Sequence, residues 1–98
     1  MSRVVVLRPD ARAEFDDGVD YINARPPGRG AALAHAVRAT LARIAANPQL
    51  GTEVQPGVRR LMVPKTKYCV IYLYDDDTVD VVSVFHTSRD PADWQRRV

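Results

Sequence analysis

Residues Lys67 to Trp94, KYCVIYLYDDDTVDVVSVFHTSRDPADW, constrain the fold more than any other stretch of the chain. Two runs rich in β-branched and aromatic residues flank an aspartate-rich turn, which is the pattern of a β-hairpin. The second run delivers His86 and Arg89 together at its end, so any chemistry is expected there.

The remaining elements follow from periodicity and punctuation. Arg3 to Leu7, RVVVL, reads as a strand, and Pro9 suits the first turn of a helix that runs from Asp10 to about Ala24 on the apolar spacing Phe15, Val19, Ile22. Asp10 and Glu14 lie early enough to favour the positive end of that helix. Arg25 to Gly30, RPPGRG, must turn the chain. A second helix from about Ala31 to Ala46 carries the stripe Leu33, Val37, Leu41, Ile44 and packs as an antiparallel hairpin with the first. Asn47 and Pro48 end it. Gln49 to Gly57 reads as a loop, followed by strands over Arg59–Val63, Lys67–Tyr74 and Thr78–His86 in an antiparallel meander. Asp75 to Asp77 forms the hairpin turn without a glycine, and Pro91 to Arg96 forms a last helical turn with Asp90 as its cap. The fold class expected is α+β: an N-terminal strand, an antiparallel helical hairpin on a mainly antiparallel sheet, and a short C-terminal helix, in one domain spanning residues 1–98.

Strict alternation places Tyr68, Val70, Tyr72 and Tyr74 on one face of their strand and Cys69, Ile71 and Leu73 on the other; on the next strand Val79, Val81 and Phe85 oppose Val82, Val84 and His86. Both faces are apolar. The helical hairpin covers one, so part of the other is expected to stay open for a partner chain.

Charge and absent motifs narrow the function. The net charge is +2, which does not mark a nucleic-acid binder, and acids cluster in two blocks, residues 10–20 and 75–80. Between Val54 and Tyr74 there are none, while Arg59, Arg60, Lys65 and Lys67 lie there with Tyr68, a mixture able to hold phosphates and a stacked base or simply to guard a strand edge. His86 with Arg89 pairs a residue type that titrates near neutrality with one that grips anions; the structural alternative is a strand-capping histidine beside an arginine paired to Asp90 or Asp93. Trp94, with Arg96 and Arg97, either closes the core or contacts a ligand. His35 stands alone on the second helix, without a second metal ligand nearby. No phosphate loop, CxxC, HExxH or GxSxG is present, so neither metal nor cofactor is expected. No apolar run approaches the roughly 18–20 residues that span a bilayer, and the lone Cys69 can form no internal disulfide; a reducing cytoplasm is the expected location.

The order of elements, with LRPDARAEFDD, NPQLG, VRRLMV, KYCVIYLY and VVSVFHTSRDPADW in sequence, resembles the ParE/RelE toxins of type II toxin–antitoxin systems over nearly the whole chain. The resemblance implies a cognate antitoxin that wraps the toxin, here on Tyr68, Val70, Tyr72, Tyr74, Val82 and Val84. It also implies one of two targets. A RelE-like ribonuclease would cleave mRNA on the ribosome, with Arg60 and Lys67 holding phosphate, His86 moving a proton and Arg89 stabilising the transition state. A ParE-like toxin would block DNA gyrase without catalysis, with Arg89, Trp94, Arg96 and Arg97 toward the target. The two acidic blocks and the absence of the C-terminal tyrosine often used by the nuclease branch favour ParE. A non-toxic antitoxin partner or co-repressor is the third possibility.

Overall fold

The computed structural model describes residues 2–98. Strand β1 (Val4–Leu7) leads directly into helix α1 (Pro9–Asn23), where Pro9 stands at the first helical position and Asp10 in the first turn. Helix α2 (Arg29–Ala46) begins two residues earlier than its alanine run, because Gly28 turns the chain at φ 93° immediately before it. Gly30 lets the two helices meet: a Cβ there would stand 2.7 Å from the Asn23 Cβ and 2.8 Å from the Val19 carbonyl. A 3-10 turn (Pro48–Leu50) then leads into β2 (Thr52–Gln55), β3 (Val58–Met62), β4 (Tyr68–Tyr74) and β5 (Thr78–His86), and α3 (Ala92–Gln95) follows.

The five strands form one sheet in the order β1-β5-β4-β3-β2, with β1 parallel to β5 and the other pairs antiparallel. Strand β2 corrects the expected loop over Gln49–Gly57. Its sequence, TEVQ, is mostly polar and solvent-facing, and it becomes a strand because β3 offers it an open edge. The β4–β5 turn closes without glycine because the Asp75 carboxylate accepts from the backbone N–H groups of Asp77 (2.9 Å) and Thr78 (2.8 Å). Those two donors hold the Asp75 carboxyl below its ordinary range.

Strict alternation fails on β5. Ile71 pairs with Ser83 and Tyr72 with Val81, so Val82 is an extra residue, a β-bulge that switches the side-chain parity of everything after it. Val79, Val81 and Val84 therefore all pack beneath the helices, while Val82 and Phe85 lie on the opposite face, against the expected assignment. Tyr68, Val70 and Tyr72 are also in the helix-covered core, each under a tenth exposed. The opposite face is covered in part. Val58, Cys69, Ile71, Val82 and Phe85 are buried there together with Trp94, which α3 folds back onto the sheet. The C-terminal segment covers the middle of this face, while Val4, Val6 and Met62 on its flanks stay exposed, so part of the apolar face is open as expected.

Candidate functional site

The end of β5 is shaped by a tight turn. The Thr87 N–H donates to the Lys67 carbonyl (2.8 Å) and the Arg89 N–H to the His86 carbonyl (3.0 Å), so the chain leaves the sheet within three residues. His86 is built into this turn. Its Nδ1 accepts from the Ser88 N–H (3.1 Å) and lies 2.6 Å from Ser88 Oγ, which in the neutral ring leaves the proton on Nε2. The imidazole stands edge-on to Tyr68, ring centroids 5.0 Å apart. Burial pushes the Tyr68 hydroxyl above its ordinary pKa, and the charge of Tyr21 adds to the shift while Arg89 opposes it.

A shallow cleft of about 340 Å³ opens beside His86, lined on the α1 side by Glu14, Asp17 and Gly18 and on the other by Ser88 and Arg89. Tyr68 forms its wall, close enough that a Cβ on Gly18 would lie 2.9 Å from the Tyr68 hydroxyl. The cleft brings a carboxylate pair and an arginine around the imidazole.

The four residues of the expected nuclease site are not brought together. Tyr68 and its cross-strand partner His86 share the helix-covered face, whereas Arg60 pairs with Ile71, which belongs to the opposite face. The sheet separates Arg60 from His86. Lys67 lies at the start of β4, exposed beside His86, and Arg89 is exposed and 3.9 Å from Asp93. Among the described residues no three histidine, cysteine or acidic side chains cluster so as to hold a metal.

The residues expected to face a target divide in two. Arg89 and Arg96 keep side-chain exposures of 56 % and 70 % while sharing Asp93. Trp94, 6 % exposed, is a core residue. Arg97 is committed inward: its guanidinium reaches Glu14 at 2.8 and 3.3 Å and the Val82 carbonyl at 3.1 Å, and the hydrogen bond to Glu14 raises its pKa further. Glu14 also accepts from Ser83 Oγ (2.9 Å). The expected antitoxin-contact set is likewise displaced, since Tyr68, Val70, Tyr72, Val82 and Val84 are buried and Tyr74 is only partly exposed.

Sequence reasoning missed Arg29, which joins Lys65 and Lys67 at the rim of a larger groove on the same side of the molecule. The clue lay in the chain: residues 21–52 contain no aspartate or glutamate, so Arg29 has no local partner.

Comparison with known proteins gives a consistent result. A family described as the ParE toxin of the type II toxin–antitoxin system, parDE, matches residues 5–91. A solved structure titled as the chromosomal ParDE TA system from P. aeruginosa superimposes with a TM-score of 0.75 at 12 % identity, covering 87 % of this chain and 96 % of that one. No curated protein matches.

Proposed function

The chain belongs to the ParE toxin family of type II toxin–antitoxin systems, and from that premise we propose that it acts by binding DNA gyrase, without catalysis of its own, until a cognate antitoxin sequesters it. The observation that carries the non-catalytic reading is the separation of Arg60 from His86 by the sheet, together with the commitment of His86 Nδ1 to the Ser88 turn. A metal-independent ribonuclease needs a proton-transfer group and a phosphate-binding cation on the same reacting atoms. Here Arg60 addresses the face opposite His86, and of the expected set only Lys67 and Arg89 stand on the histidine's side.

Arg89 and Arg96 are the residues of the C-terminal region free to meet the target, exposed at the surface and tied only by solvent-facing pairs to Asp93, which are worth about 0.2–1 kcal/mol. Among the described residues no helix is long and apolar enough to cross a membrane, which agrees with a partner met in solution.

The test is a supercoiling assay with purified gyrase and relaxed plasmid, run beside a ribosome-programmed mRNA cleavage assay. Loss of supercoiling that persists in His86→Ala is the expected result. Cleavage of ribosome-bound mRNA that disappears in His86→Ala would overturn the proposal and restore the nuclease mechanism.

A further inference from the structure

The two edges of the sheet are built differently. At one, β2 is mostly polar and its register with β3 shifts between Glu53 and Gln55, an irregularity that disturbs the edge as a template. At the other, β1 is the regular apolar run VVVL, paired only to β5. Edges of this kind are ordinarily guarded by an outward charge, a proline or a bulge, and Val4–Leu7 contains none of these.

The two arginines that flank β1 turn back onto their own chain. Arg3 Nε donates to the Asp75 carbonyl (2.6 Å), and its guanidinium lies 5.4 Å from the centre of the Tyr74 ring. Arg8 holds the Asp80 carboxylate at 3.0 and 2.7 Å and the Arg97 carbonyl at 2.8 Å. Neither side chain is left to guard the edge.

The backbone hydrogen bonds define its free length. The Arg3 N–H donates to the Ala45 carbonyl (3.0 Å), so the end of α2 closes the edge there. The N–H groups of Val4 and Arg8 point inward, to the Asp77 and Val81 carbonyls (both 3.0 Å). Alternation along a strand then turns those of Val5 and Leu7 outward, where they have no backbone partner among the described residues. Val5 and Leu7 direct their side chains to the helix-covered core, while Val4 and Val6 are 66 % and 48 % exposed on the other face.

We propose that β1 pairs antiparallel with β1 of a second copy of this chain, about a two-fold axis at Val6, joining two five-stranded sheets into one. Val5 of each chain exchanges backbone hydrogen bonds with Leu7 of the other, Val6 faces Val6 across the axis, and Arg8 of one chain stands opposite Val4 of the other. Charge favours this occupant. Val4 is paired with Thr78, next to the acidic turn Asp75–Asp77, so the positive N-terminal end of one copy's α1, with Arg8, comes within two strand spacings, roughly 10 Å, of the other copy's aspartates. Symmetry repeats the match at the other end. A β1-to-β2 contact would instead leave an edge free at each end and grow without closing, and the irregularity in β2 opposes it. The paired segment is short and buries less than the roughly 1,000 Å² of a permanent interface, so the dimer forms and dissolves with concentration.

Sedimentation velocity of the full-length chain, from on the order of 10 μM to 1 mM, tests this together with thermal melts of each variant. The weight-average mass should rise from that of one chain toward that of two. Val6→Lys should melt as wild type does, because Val6 is exposed, and stay at the mass of one chain, because like charges then stand opposite each other. Val6→Glu should behave the same way. An equimolar mixture of the two should associate about three- to tenfold more tightly than either alone, since opposite charges now meet at the axis. If Val6→Lys melts early, Val4→Lys, at a still more exposed position and opposite Arg8, repeats the test. A wild type that stays at one chain mass throughout overturns the proposal, as does a dimer that the lysine variants leave intact. Loss in both charge variants without recovery on mixing overturns the axis at Val6, and mass growing beyond two chains overturns the closed two-fold arrangement. Val5 and Leu7 amides that gain protection from hydrogen exchange only when antitoxin is added give the edge to the antitoxin and overturn self-pairing.

Discussion

Replacing Arg97 by Met should unfold the C-terminal end rather than remove a contact with a target. The guanidinium makes two bonds to Glu14, at 2.8 and 3.3 Å, and one to the Val82 carbonyl at 3.1 Å; the side chains of the pair are 20 % and 10 % exposed. Two unit charges centred about 4 Å apart interact by about 4 kcal/mol in a medium of effective dielectric 20, and part of that returns as hydration once the arginine is gone. Glu14 is then left with Ser83 alone among its present partners, in a site almost closed to water. We expect a net loss of about 2–3 kcal/mol, below the full penalty for breaking a deeply buried pair because some solvent reaches Arg97. In urea denaturation this lowers the midpoint by about 1–2 M at unchanged slope. Glu14→Gln in the Arg97→Met background should recover at least about 1 kcal/mol, because the stranded charge is gone. If Arg97→Met costs less than about 0.5 kcal/mol, or if the two substitutions are additive, the pair does not anchor the tail and the argument fails. Toxicity in cells should fall with Arg97→Met and return in the double variant; loss that persists in a stably folded double variant would instead place Arg97 at the target interface.

Two further perturbations probe other parts of the fold. The buried Tyr72 hydroxyl donates to the Pro48 carbonyl (2.6 Å) and accepts from the Gly51 N–H (2.9 Å), so Tyr72→Phe leaves two buried backbone groups unpaired and should cost about 2–4 kcal/mol, read by chemical denaturation; a change under about 1 kcal/mol would mean water replaces the hydroxyl. Burial pushes the Cys69 thiol up to about 11 from 9.0, so the folded chain retains a proton that the unfolded chain loses, and stability is full below pH 9 and declines as pH rises toward 11. The decline attributable to Cys69 should reach about 2–3 kcal/mol and be absent in Cys69→Ala; an identical alkaline limb in both proteins would refute the assignment.

Much of the architecture could be read from spacing alone. The helical stripe of Leu33, Val37, Leu41 and Ile44 is buried as its period requires, although Leu41 keeps slight exposure, and the Asp75 turn forms where three aspartates interrupt the apolar runs. What escaped notice depended on events that leave no periodic trace. The bulge inserts Val82 directly after another valine, so no change of residue type marks it, and it leaves Val82 and Phe85 on the face opposite Val81 and Val84. TEVQ carries no strand pattern of its own and is ordered by its neighbour. At the site, His86 and Arg89 occur together as their spacing suggests, but Arg60 is two strands away and opposite in face, a relation that only register decides. Trp94 and Arg97 belong to the same short segment as the exposed Arg96, and only tertiary contacts distinguish core from surface there.

The pairing of β1 with β5 has a consequence for how the protein is made. Val4 lies beside Thr78 and Leu7 beside Val81, so β1 is held in the sheet by β5, a strand made well after it. The two helices can form while the chain is still growing, since their contacts are close in sequence, but β1 must wait with its hydrogen-bonding edge unfilled until β5 emerges. Completion of the sheet therefore waits for β5 to emerge, and a nascent chain ending before Thr78 lacks the strand that holds β1 in place.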